Sequence, residues 1–131
     1  MSKMPSLYID VDNRLLFHYI AKSKGLNFDL VKLELVNRVN DEIVSNLMTD
    51  KEYVVEPIDL KVFPNFERNR KKRGEWKKHI KVYLKEAAKN VYATSGNNAR
   101  ASLIANVVTR KFLLSKEIDT FRRMPTKPKE E

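Results

Sequence analysis

The chain has no cysteine, and only 3 glycines and 5 prolines among its 131 residues. Without thiols it can form no disulfide framework, zinc ribbon or cysteine nucleophile, which agrees with a reducing, cytoplasmic compartment. Scarce turn residues favour long helices over a turn-rich β fold. The opening MSKMPSLYID has no long apolar run behind its lysine and does not read as a secretory signal. No segment approaches the ~20 apolar residues of a membrane span, so no membrane partner is expected. With 2 histidines and no cysteine, a transition-metal site or a Ser-His-Asp arrangement has almost no parts. P-loop and GxGxxG patterns are missing too. Nothing calls for a cofactor, and no internal repeat is visible.

What is present is a chain that is 42% hydrophobic, enough to bury a core in one compact domain. We assign that domain to residues 1–123 and treat 124–131 as a frayed tail of mixed charge. The net charge of +9 is unevenly spread. Residues 1–60 hold 7 Lys/Arg against 10 Asp/Glu, whereas 61–131 hold 19 against 7. An acidic half joined to a strongly basic one suggests a surface directed at a polyanion, and nucleic acid is the commonest.

Local patterns predict an α+β fold, mostly helical, with about four helices and a small two-stranded β element. Leu7, Ile9 and Val11 alternate with polar neighbours as a half-buried strand does. Asp12 or Asn13 is suited to cap a first helix, which Gly25 ends. Asn27 can cap a second. Its Phe28, Val31, Leu35, Val39, Ile43 and Leu47 recur at helical spacing, widened by Val36, Val44 and Met48. That stripe, 28–48, predicts a face for a core or for a homodimer. Tyr53–Val55 and the alternating Ile58, Leu60 and Val62 predict a second strand, with Pro57 at its edge. Trp76, Ile80, Tyr83, Leu84, Ala87 and Val91 predict a helix from Glu75 to Tyr92. Ala101, Ile104, Ala105, Val108 and Phe112 predict another.

The candidate nucleic-acid site lies on that third helix and its approach. Arg68, Arg70, Lys71, Lys72 and Arg73 precede it, and Lys77, Lys81, Lys85 and Lys89 follow at spacings of four, with Lys78 beside them. As one helical band, such cations can track successive phosphates and release their counterions. Only Glu67, Glu75 and Glu86 oppose these ten cations between 66 and 90.

Two partial resemblances add to this reading. Ser6 to Ser45, with its Ala21-Lys-Ser-Lys-Gly25-Leu-Asn27 turn, resembles the ribbon-helix-helix DNA-binding proteins. The resemblance implies an intertwined dimer whose strand presents Ser6, Tyr8 and Asp10 to the major groove. Leu7-Tyr-Ile-Asp10-Val-Asp12-Asn13 and Gly96-Asn97-Asn98-Ala99 are similar to segments of NYN/PIN-like metal-dependent ribonucleases. That resemblance implies a magnesium site, for which Asp10, Asp12 and Asp59 are the candidates. Positions 99–108 hold no acid, however, and the chain runs on into Arg122-Arg123-Met-Pro125, so it implies a degenerate relative that binds without cutting.

The leading expectation is therefore a non-catalytic, basic nucleic-acid-binding protein, DNA or RNA, such as a regulator or an accessory factor of a virus or mobile element. The alternatives are a homo-oligomeric assembly factor and a degenerate nuclease-like domain.

Overall fold

In a computed structural model of the chain, which describes residues 5–59 and 80–123, the elements follow one another as strand, helix, helix, then strand, helix, helix. They are β1 (Ser6–Tyr8), α1 (Val11–Lys24), α2 (Phe28–Asn46), β2 (Lys81–Tyr83), α3 (Glu86–Ser95) and α4 (Asn98–Leu114), closed by a 3-10 helix at Lys116–Phe121. The fold is mostly helical α+β, with one two-stranded antiparallel sheet among the described residues. No helix among the described residues is long and apolar enough to cross a membrane.

The first helix pair forms where its caps place it. Gly25 takes the left-handed conformation (φ 63°, ψ 46°) that lets α1 stop without a Cβ clash, and its N–H closes on the Ala21 carbonyl. The Asn27 side chain then accepts the Leu30 N–H at 3.1 Å and starts α2. The predicted N-cap of α1 shifts. Asp10 occupies that position, while Asp12 and Asn13 lie inside the first turns, with Asn13 buried.

The predicted stripe of α2 is consumed within the chain. Val31, Leu35, Val39, Ile43 and Leu47 are buried, and α2 packs on α3, α4 and β2. Val44 and Met48, expected to widen the stripe, face outward.

The largest correction concerns the third helix. Residues 80–85 are extended, and α3 begins only at Glu86. Ile80, Leu84 and Ala87 satisfy a helical period, but Ile80, Val82 and Leu84 satisfy a period of two equally well. Those last three are buried, while Tyr83 and Ala87 face out. The β-branched Val82 and the aromatic Tyr83 suit a pleat, and β1 offers a ladder that the local pattern could not show. The expected strand at 53–62 is not formed over its described part, 53–59, and β1 pairs with β2 instead. Leu60, Val62 and Trp76 lie outside the described residues.

The six elements repeat a unit that the sequence did not betray. β1-α1-α2 and β2-α3-α4 are two strand–helix–helix units, and their packing is crossed. β1 packs on α4 and β2 on α2; α1 packs on α4 and α3 on α2; α2 and α4 pack on each other. The ribbon register is centred on Leu7 opposite Val82, with Ser6 facing Tyr83 and Tyr8 facing Lys81. Two mated bonds flank it, Ile9 N–H to the Ile80 carbonyl at 3.3 Å and Leu84 N–H to the Pro5 carbonyl at 3.2 Å. Both helix hairpins turn on a left-handed glycine, Gly25 and Gly96, followed by an asparagine cap, Asn27 and Asn97. The backbone thus approximates a two-fold about the ribbon. The ribbon-helix-helix resemblance implied a strand paired with that of a second copy; here both strands belong to one chain.

Candidate nucleic-acid interface

Two buried asparagines hold the ribbon in place. Asn106 of α4 donates to the Ser102 carbonyl at 2.8 Å and accepts the Asp10 N–H at 2.8 Å, where β1 turns into α1. Asn40 of α2 donates to the Val36 carbonyl at 2.7 Å and accepts the Lys85 N–H at 2.6 Å, where β2 turns into α3. Each is a backbone donor near a helix start that would otherwise lack an intrahelical acceptor. Each peg reaches across to the other unit. The strand–helix junctions are therefore fixed by the long helices beneath them.

With Leu7, Ile9, Ile80, Val82 and Leu84 buried beneath, the alternate positions point away from the core. Tyr8 is 58% exposed and Tyr83 49% exposed. Lys81 stands across the ladder from Tyr8, its Nζ 4.8 Å from the ring centroid. The Tyr8 phenol beside it holds Lys81 above the usual lysine range. Ser6 stands across from Tyr83. This outer face carries hydroxyls, aromatic rings and one ammonium group on a two-stranded pleat.

The predicted lysine band is thereby broken up. Lys81 sits on β2, Lys85 at the cap of α3 and Lys89 inside α3. They do not form one helical row, because the chain changes from a strand to a helix between them. The Lys85 ammonium bonds the Asn37 side chain, and Lys89 approaches Glu86 at 3.6 Å. Arg68, Arg70, Lys71, Lys72, Arg73, Lys77 and Lys78 lie outside the described residues.

The acids of the nuclease reading take other positions. Asp59 is exposed in an irregular stretch, and no group of three or more His, Cys, Asp or Glu able to hold a metal gathers among the described residues. Asp10 and Asp12 instead balance a cation that sequence reasoning missed. The Arg110 guanidinium is buried, donating from Nε to the Asn13 side-chain oxygen and from Nη1 to the Glu56 carbonyl. Burial pushes its pKa down, while the charges of Asp12 and Asp10 act the other way. Asn13 in turn donates to Asn106 Oδ1 at 2.9 Å, so this network braces the peg under β1. The one signal for it was an arginine beside the apolar spacing of α4.

An open groove of about 690 Å³ lies between residues 51–56 and the facing sides of α2 and α4. It sets Arg38, Lys51 and Lys111 among the more numerous acids Asp41, Glu42, Glu52, Glu56 and Glu117, so its charge does not favour a polyanion.

No protein-family model, curated protein or solved structure matches the chain.

Proposed function

We propose that the protein is a non-catalytic nucleic-acid-binding module that uses the outer face of the β1–β2 ribbon. The observation that carries this reading is the ribbon itself, with its inner face sealed in the core and Tyr8, Tyr83 and Lys81 facing outward. A two-stranded ribbon is one of the two elements that fit the major groove of B-form DNA. The electrostatic term comes from the basic half of the chain. In sequence, the cluster from Arg68 to Lys78 runs directly into β2. Phosphate contacts from such a cluster would supply affinity, and the ribbon would supply register on the duplex.

The reading is tested by salt-titrated binding to duplex DNA, single-stranded DNA and RNA. Affinity should fall steeply with salt. Lys81→Glu combined with Lys85→Glu should weaken binding about tenfold or more and flatten the log–log salt slope by about one for each phosphate no longer neutralised. Both lysines sit on the surface side of their elements, so circular dichroism and the unfolding midpoint should stay near those of the parent. Unchanged affinity in a folded double variant would sink the proposal.

Self-association is the second reading. It now draws on Leu30 and Leu33, exposed on the outer side of α2, since the main stripe is buried within the chain. Sedimentation of the free protein across a concentration series tests it, and a strictly monomeric chain would count against it.

A further inference from the structure

We infer that one chain, acting alone, places its single ribbon in the major groove of duplex DNA and reads a non-palindromic site in one fixed orientation. This rests on the nucleic-acid reading above and goes beyond it in naming the ligand, the stoichiometry and the symmetry of the site.

Three observations carry it. First, both strands come from one chain, and each strand–helix junction is pinned to the long helix of the other unit, by Asn106 and by Asn40. A second copy is not needed to complete the ribbon. Second, the backbone is two-fold about Leu7 and Val82, but the side chains are not. Tyr8 and Tyr83 correspond to each other, whereas Ser6 corresponds to Lys81 and Asp10 to Lys85. A ribbon made from two identical chains would present identical edges. Here the β2 edge carries Lys81 and Lys85, and the β1 edge carries Ser6 and Asp10.

Third, the groove selects the ligand and turns this inequality into an orientation. A ribbon lying along the major groove faces one phosphate wall with each edge. The two walls are related by the dyad of the duplex and attract or repel a given edge alike, so the edge charges favour neither way of inserting the ribbon and the direction is left to the bases. The bases below are then met by Lys81 next to Tyr8 at one cross-strand pair and by Ser6 next to Tyr83 at the other. A lysine favours the O6 and N7 acceptors of guanine, and a serine has no such preference. Double-stranded RNA is a poor ligand on the same grounds, because the deep, narrow major groove of the A-form cannot admit side chains in this way.

The test starts by enriching a randomised duplex DNA library on the 131-residue chain. Because the chain has no cysteine, Ser23→Cys at the exposed end of α1 and Thr94→Cys at the exposed end of α3 each give a single attachment point for an iron–chelate cleavage reagent. The inference expects a non-palindromic consensus, one chain per duplex by sedimentation, and cleavage on one flank from Ser23→Cys and on the opposite flank from Thr94→Cys. Duplexes that repeat either half of the site as a palindrome should bind about tenfold more weakly or worse. A palindromic consensus, two chains per site, equal cleavage of both flanks from one label, or enrichment without any consensus would each overturn it while leaving nucleic-acid binding intact. No enrichment, with no binding to single strands or RNA either, would overturn the parent reading as well.

Discussion

The two strand–helix–helix units share a backbone plan but differ in length and in buried polar chemistry. Their hairpins are the clearest case. α1 runs 14 residues where α3 runs 10, and α2 runs 19 where α4 runs 17. The turn of the first hairpin seats the C-terminal segment. Asn27 N–H bonds the Phe121 carbonyl at 2.7 Å, Arg123 N–H bonds the Gly25 carbonyl at 2.7 Å, and Lys24 pairs with Asp119 at 2.8 Å. The second hairpin is clasped by the chain leaving α2, where Arg100 donates to the carbonyls of Asn46, Leu47 and Lys51. Each unit's exit thus covers the other unit's hairpin tip. The polar difference lies under the ribbon. Asn106 is tied to Asn13 and, through it, to buried Arg110, whereas Ala88 of α3 takes the place of Asn13 beside Asn40. One peg stands in a network and the other stands nearly alone.

That difference sets the largest expected effect. Asn106→Ala removes the acceptor of the Asp10 N–H and the shorter of the two bonds donated by the buried Asn13 amide, leaving it the backbone carbonyl of residue 106 at 3.3 Å, with Arg110 bonded to the Asn13 oxygen. Asn40→Ala removes the acceptor of the Lys85 N–H and the 3.3 Å donor to the Tyr83 carbonyl. Buried polar groups left unpaired are costly, and more so in a connected network. Urea unfolding should show a loss of about 3 kcal/mol for Asn106→Ala and about 2 kcal/mol for Asn40→Ala. Equal losses would mean that the Arg110 network adds nothing to the first peg.

The next effect sharpens the likeness between the units. Gly25 and Gly96 have φ values of 63° and 62°, and a Cβ added at either would meet nothing within 4 Å. The cost of alanine is therefore backbone strain alone, about 1 kcal/mol at each site and the same at both. Thermal or urea unfolding of Gly25→Ala and Gly96→Ala should give matching shifts. A difference well beyond that figure would show that one hairpin is held by something besides its turn.

The same comparison explains what the sequence could and could not reveal. α1, α2 and α4 were legible because local chemistry marks them. Gly25 and Asn27 bracket one turn, Asn97 caps α4, and apolar residues recur at spacings of three and four on long stretches. β2 was not legible, since Ile80, Val82 and Leu84 fit either period over so short a run, and its partner lies far away in the chain. The duplication was hidden by the unequal hairpin lengths, which put Gly25–Asn27 and Gly96–Asn97 out of step with β1 and β2. The marks that survive, Tyr8 with Tyr83 and Asn40 with Asn106, are single residues that gain meaning only in three dimensions. Of the candidate site, Tyr8 was visible through its outward strand position and Lys81 through its charge, but their pairing across a ladder was not. Arg110 was hidden because an arginine on a helix is ordinarily a surface residue.

The smallest effect probes the clasp over the second hairpin, through its pH dependence. Tyr53 donates from its hydroxyl to Glu42 Oε2 at 2.6 Å, and Lys51 reaches the same oxygen at 3.0 Å. The Tyr53 bond, followed by Lys51, holds the Glu42 carboxyl below the usual carboxylate range, against a desolvation effect that would raise it. Burial, then the Glu42 bond, pushes the Tyr53 phenol well above its ordinary value, so it remains a donor throughout the accessible range. For Glu42 the folded pKa lies below the unfolded one. Its contribution is therefore complete above the unfolded value and is lost as pH falls through the lowered folded value. Tyr53→Phe removes the main cause of that shift. At neutral pH it should cost about 0.5 kcal/mol, below the usual range for a bond to a charged group because both side chains are partly solvated. In acid the carboxyl is protonated in both folded and unfolded chains, and the parent and Tyr53→Phe should converge. The ring, with Lys51 and Arg100 near its face, is kept in the variant, so a stability gap that stays constant from neutral pH into acid would assign the effect to the hydroxyl regardless of the charge on Glu42 and would leave the charged bond without a role in closing the clasp.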